Sequence, residues 1–245
     1  MLILLSPAKT QKLSNKKRNT TSPIFLETAK KIQQDLQKKS TDTLQGLWKV
    51  SDKKFTKSMT YLQNFGKQTS AAIDTYTGTV FSQFQLESYS EKHIEYLKKH
   101  IAILSALYGY LRAFDSISLY RLDLMMPYIF QEKKLRDFWK PKIKDVIEKN
   151  PSNEILLLCS KEFQDLLPTQ VEGKKIIEVQ FFQITQDGKR KSMSVYTKQA
   201  RGMMADFCIK NMITKSADLK NFHESGYMFL SDQSDETHFV FEKTL

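Results

Sequence analysis

The chain of 245 residues is 40% hydrophobic and 27% charged, which excludes a disordered chain and a membrane-embedded one. Its 38 Lys and Arg against 27 Asp and Glu leave a net charge of +11. That excess suits a polyanionic partner such as nucleic acid, and equally a solvated Lys-rich surface.

Leu2–Leu5 is a short continuous apolar run, the pattern of a buried strand. It is too short for the core of a secretory leader, and no run approaches the roughly 18 apolar residues of a membrane span. Residues 11–22 are polar and basic and predict a loop. Phe25, Ala29, Ile32 and Leu36 share one helical face. Leu44, Leu47 and Trp48 suggest a short second helix, and Ser51 is a good N-cap for a third carrying Phe55, Met59 and Leu62. Residues 69–89 are aromatic-rich and predict strand or loop. Ser90 opens a helix over 91–100. Ile101–Leu104 is a second apolar run, compatible with helix or strand, and residues 109–130 lack a clear period. Leu135, Phe138, Trp139, Ile143, Val146 and Ile147 form another helical face that ends before Asn150-Pro151. Ile155–Leu158 is the third apolar run. Lys175–Ile184 and Lys191–Thr197 flank Asp187-Gly188, a hairpin signature. Gln199–Met212 reads as helix, and Gly226–Leu230 with Thr237–Phe241 as a final hairpin. With no repeat and no Pro- or Gly-rich linker, the expectation is one α/β domain over residues 1–245, a mixed β-sheet flanked by helices.

The three apolar runs end alike, on Ser6, Ser105 and Cys159-Ser160. If they are strands of one sheet, their carboxyl ends lie side by side, where open α/β sheets bind ligands. A cation follows each: Lys9, Arg112 and Lys161. A fourth strand candidate ends at Val195-Tyr196-Thr197-Lys198, with Arg201 one helical turn on. The eight glycines are scattered, so neither G-x-G-x-x-G nor a P-loop is present, and side chains must do most of any phosphate holding. Cys159 and Cys208 form no C-x-x-C motif and read as two reduced, buried thiols of a cytoplasmic protein. The four histidines are scattered with no Glu-x-x-His or His-x-x-x-His pair, so no metal site and no cofactor is expected.

Leu4-Leu5-Ser6-Pro7-Ala8-Lys9-Thr10 resembles the peroxide-stress YaaA family. Further blocks agree in order and spacing: Leu104 to Asp115, Tyr120-Arg121-Leu122-Asp123, Phe138-Trp139, Tyr196 to Met204, and Gly226 to Phe229. The likeness covers essentially the whole chain. Ala113-Phe114 replaces a usual Pro-Leu, Leu119 and Met125 replace a proline and a glycine, and Gly78-Thr79 stands where the family usually has Gly-Asp.

The resemblance implies a cytoplasmic protein that limits peroxide damage, with a link to iron control. It also implies a basic cleft and double-stranded DNA binding by a helix-hairpin-helix-like element. The segment before Tyr108-Gly109 is the candidate for that element. On this reading Ser6, Lys9, Ser105, Arg112, Arg121, Lys198 and Arg201 contact phosphates, with Lys12, Lys16, Lys17 and Arg18 widening the footprint. No base-reading helix is evident, so recognition would follow backbone and shape, by a monomer without membrane contact. The alternative is an enzyme acting on a nucleotide or damaged nucleobase in the same cleft, with Asp115 as general base and Tyr120 stacking a base or donating a proton.

Overall fold

The computed structural model describes residues 1–245. Strand β1 (Leu2–Leu5) is followed by helices α1 (Leu26–Gln37), α2 (Thr41–Trp48) and α3 (Asp52–Gln63). Ala29, Ile32 and Leu36 are buried on α1, on the face the sequence marked. A short strand β2 (Ser70–Ala71) and the single turn α4 (Ala72–Thr75) lead to α5 (Glu91–His100). Ser90 caps α5 as expected: its side chain accepts from the His93 N–H, and the His93 ring reaches back to the Ser90 N–H.

Ile101–Leu104, compatible with two readings, is a strand: β3 (Ile101–Ser105), buried at every residue. It turns into the antiparallel β4 (Gly109–Arg112). Gly109 has φ +68°, and a Cβ there would sit 2.5 Å from the Trp139 ring. The helix-hairpin-helix expectation for this segment is therefore corrected, because the turn joins two strands. After β5 (Ser116–Ile117) and the small hairpin β6 (Ile129–Phe130) and β7 (Lys133–Lys134) comes α6 (Leu135–Lys149). Then follow β8 (Glu154–Leu158), the single turn α7 (Lys161–Gln164), β9 (Lys175–Ile184) and β10 (Arg190–Lys191). The chain ends with α8 (Ser194–Lys210), β11 (Met228–Phe229) and β12 (His238–Thr244). The second strand of the 175–197 hairpin is shorter than expected. Residues 195–198 are the first turns of α8, not strand, so the fourth strand candidate is also corrected.

One mixed sheet organises the molecule, in the order β11-β12-β9-β8-β1-β3-β4 with β10 on the flank of β9. β1 is parallel to both β3 and β8, β8 to β9, and β9 to β12. The antiparallel strands β4 and β11 close the two edges. The central strands are buried on both faces, which explains why they read as unbroken apolar runs and not as alternation. No helix is long and apolar enough to cross a membrane.

Candidate functional site

The chain leaves β1 toward β3 on one side and leaves β8 toward β9 on the other. Two neighbouring parallel strands whose connections part in opposite directions open a crevice at their carboxyl ends. A cavity of about 530 Å³ lies there, lined by Ser6–Thr10 after β1, Leu158 and Ser160–Glu162 after β8, Gly78–Phe81, and Lys198 and Arg201 of α8. Ser6 ties its two strand ends together: its Oγ accepts the Ser160 N–H at 2.7 Å and lies 3.2 Å from the Ser160 Oγ.

Two glycines let the walls approach. A Cβ on Gly78 would lie 2.7 Å from the Ala8 Cβ. A Cβ on Gly202 would lie 2.3 Å from the Val80 carbonyl oxygen, so α8 can rest directly on the 78–83 segment. That contact holds Lys198 and Arg201 over the cavity.

A smaller pocket of about 40 Å³ adjoins it and shares Pro7, Ala8, Lys9 and Glu162. Tyr120, Arg121 and Asp123 complete its wall. Four of the expected phosphate contacts, Ser6, Lys9, Lys198 and Arg201, therefore line the crevice, and Arg121 lies next door. Lys9 is held by Asp123 at 2.8 Å.

The other expected residues lie elsewhere. β4 runs back along β3, with Arg112 opposite Ala102, so Arg112 is carried to the far edge of the sheet. There it pairs with Asp115 at 2.8 Å and donates to the Ser22 carbonyl at 2.6 Å. Ser105 is fully buried, 2.9 Å from the Tyr120 hydroxyl, and its Oγ accepts the Leu107 and Tyr108 N–H groups. Tyr120 bonds in turn to the Tyr76 hydroxyl at 2.9 Å, and burial pushes its phenol up to about 12. Asp115 is 0% exposed and accepts from Thr21 Oγ1, the Arg112 N–H and the Arg112 guanidinium. These bonds account for Ser105, Asp115 and Tyr120 as framework. Of the wider footprint, Arg18 is held by Asp74 at 2.6 Å, and Lys16 is held by Glu87.

The electrostatics of the crevice are lopsided. Lys9, Lys161, Lys198 and Arg201 line it with one carboxylate, Glu162, and of the four Lys9 is paired outside the lining with Asp123 and Lys161 with Asp165 at 3.6 Å. Of the six arginines, Arg18, Arg112, Arg136 and Arg190 each have a carboxylate partner. The two that do not are Arg121 and Arg201, and each has a buried Nε with no hydrogen-bond partner. Burial lowers the Arg201 pKa. A desolvated guanidinium without a counter-charge is costly, and an anion would relieve that cost. Glu162 is pushed above the usual carboxylate range, first by burial and then by the Asp123 carboxylate, against the pull of Lys9, Ser160 and Lys198.

Sequence reading set Ser160 at a strand end on this edge without naming it a phosphate contact, and missed Glu162 and Thr79 as site residues. Ser160 and Glu162 follow the third apolar run, and Gly78-Thr79 is where the chain departs from the family pattern, so both signals were present. At Thr79 the crevice lacks a carboxylate that the resemblance led one to expect.

The thiols take no part. Cys159 and Cys208 are free and fully buried. Burial pushes Cys159 up to about 12 and raises Cys208 as well, leaving almost no thiolate at neutral pH. Both are expected to resist a thiol-specific disulfide reagent in the folded protein and to react fully on unfolding. Rapid labelling of either thiol in native protein would contradict this.

The fold and the crevice define an open α/β protein with a cavity at the carboxyl ends of β1 and β8. The chain belongs to the family of the peroxide stress protein YaaA, which it matches over residues 1–233. A UPF0246 protein of Fusobacterium nucleatum subsp. nucleatum is 34% identical over 99% of both chains. One of Finegoldia magna is 33% identical over 100% of this chain and 99% of its own. One of Lactobacillus acidophilus is 31% identical over 98% and 96%.

Proposed function

We propose that this peroxide stress protein is a cytoplasmic monomer that binds duplex DNA without sequence preference, through phosphate contacts around the crevice. The observation that carries the reading is the pair of uncompensated guanidiniums, Arg121 and Arg201, at adjoining pockets of one sheet edge. Lys9, Lys161 and Lys198 add charge around them. Arginine forks suit phosphate oxygens, and each neutralised phosphate releases counterions. Fluorescence anisotropy with duplexes of unrelated sequence should give similar affinities that fall steeply between about 50 and 200 mM salt. Affinity that ignores salt, or that depends strongly on sequence, would sink the reading.

Glu162 supplies a second check, because it is the carboxylate inside the crevice. Glu162→Gln is expected to raise duplex affinity a few-fold at pH 7.5 and low salt, on the scale of ~1 kcal/mol for one unit of charge. The wild-type carboxyl is held above its ordinary value, so it takes up its proton at a higher pH than an exposed Glu. The gap between wild type and Glu162→Gln should therefore close as pH falls through that raised value. No gap at any pH would show that Glu162 does not face the bound anion, and a gap that does not close on acidification would show that its charge is not the cause.

A further inference from the structure

We propose that the crevice between β1 and β8 is a mononucleotide site, taking one nucleoside 5′-monophosphate unit, either free or swung out of a DNA strand. This rests on the anion reading above and specifies what enters the cavity. Size argues first. At 530 Å³ the cavity is about 10 Å across, within the roughly 300–1,000 Å³ of small-ligand sites. It is too narrow for a duplex, whose major groove alone is about 12 Å wide. A lone phosphate ion would fill only a corner of it.

The lining argues second, because it divides by chemistry. Ser160, Lys198 and Arg201 offer a hydroxyl and two cations, while Pro7, Ala8 and Val80 offer partly exposed apolar surface over the buried Phe81 and Leu158. A ligand that satisfies both parts carries an anionic group and a flat, weakly polar body, which is the make-up of a nucleotide. The site is also built rather than incidental. Gly202 lets α8 pack against the Val80 carbonyl, and Ser6 bonds across to Ser160. The Arg201 Nε is buried there without a partner. Arg121, in the adjoining pocket, would meet the next phosphate if the nucleotide belongs to a strand. Swinging a base out costs least where it is already unpaired, so a strand-borne nucleotide should come from a bulge or gap.

Calorimetry with deoxyadenosine 5′-monophosphate, deoxyadenosine and inorganic phosphate tests the free form. Anisotropy with a fully paired duplex and one carrying a single unpaired adenosine tests the strand form. The nucleotide should bind at least tenfold tighter than either fragment, or the bulged duplex at least fivefold tighter than the paired one. The first result alone names a free nucleotide as the occupant, and the second names an extruded one. Thr79→Trp, which sets an indole in the cavity, should abolish both preferences, read within the variant itself as the ratio of nucleotide to fragment affinity and of bulged to paired duplex. Lys198→Glu, on the exposed first turns of α8, probes the anionic end of the site without filling the cavity and should weaken nucleotide binding at least tenfold, with a parallel loss of paired-duplex affinity because Lys198 also serves the duplex reading. Protein that binds paired duplex but shows neither preference overturns the mononucleotide site and leaves the DNA reading standing. Protein that binds the nucleotide but no duplex does the reverse.

Discussion

Arg201→Gln is expected to weaken duplex DNA binding roughly ten- to a hundredfold while leaving thermal stability unchanged or slightly raised. The loss corresponds to one charge-assisted hydrogen-bonded contact of about 1.5–3 kcal/mol. Stability should not suffer, because the guanidinium has no carboxylate partner and its buried Nε has no acceptor to lose. Replacing a desolvated, unpaired cation with a neutral side chain removes a cost from the folded state. The slope of log affinity against log salt should fall by about 0.9 if one phosphate contact disappears. Arg121→Gln should behave the same way, and the double variant should lose about twice the slope. A variant that unfolds would show Arg201 to be framework, and one that binds normally would remove the crevice from the DNA contact. Anisotropy titrations paired with thermal melts decide between these outcomes.

Such a residue is visible in sequence only as a cation near a strand end, and that signal placed some residues well and others badly. Lys9 was placed well because it follows a fully buried parallel strand by a few residues, and short loops cannot stray far from the strand end. Arg112 was misplaced because the chain reverses at Gly109, and one antiparallel strand turns a carboxyl-end residue into one at the opposite edge. The glycine was in the sequence, but its positive φ and its fit against Trp139 are tertiary facts. Residues 195–198 show the other kind of failure. Val195, Tyr196 and Thr197 favour strands, yet they open α8. Gln183 of β9 accepts the Met193 N–H at 2.8 Å, a contact across the β9–β10 hairpin at the residue where this helix starts. Ser105 failed for a third reason. Its strand end looks like that of β1, but the Tyr76–Tyr120 hydroxyl pair closes over it, and nothing local to Ser105 announces those partners. The buried core was the most legible part, because it was written as unbroken apolar runs and helical faces.

Asp115→Ala should lower stability by about 2–3 kcal/mol and leave DNA affinity within twofold of wild type. The carboxylate is fully buried and gathers bonds from two parts of the chain. Thr21 Oγ1 donates at 2.6 Å, the Arg112 N–H at 2.9 Å and the Arg112 Nε at 3.0 Å. The backbone around it is laced to the same segments: the Thr21 N–H donates to the Phe114 carbonyl, and the Ala72 N–H to the Asp115 carbonyl. Removing the side chain leaves the Arg112 N–H without an acceptor and takes away the Thr21 side-chain tie, while the backbone bonds of Thr21 to Phe114 and Ser116 remain. The loss stays below that of a fully buried ion pair because the Arg112 side chain is 43% exposed and can turn to water. For a domain of this size each kcal/mol moves the midpoint by about 2–4 °C, so a fall of roughly 5–10 °C is expected. Thr21→Val, which removes one bond of the set, should cost about 1 kcal/mol and serves as the scale. An Asp115→Ala protein that melts normally but has lost binding or turnover would move this residue from the framework into the site. The bond set argues the opposite, since each carboxylate oxygen already accepts from groups that no ligand could replace without opening the fold.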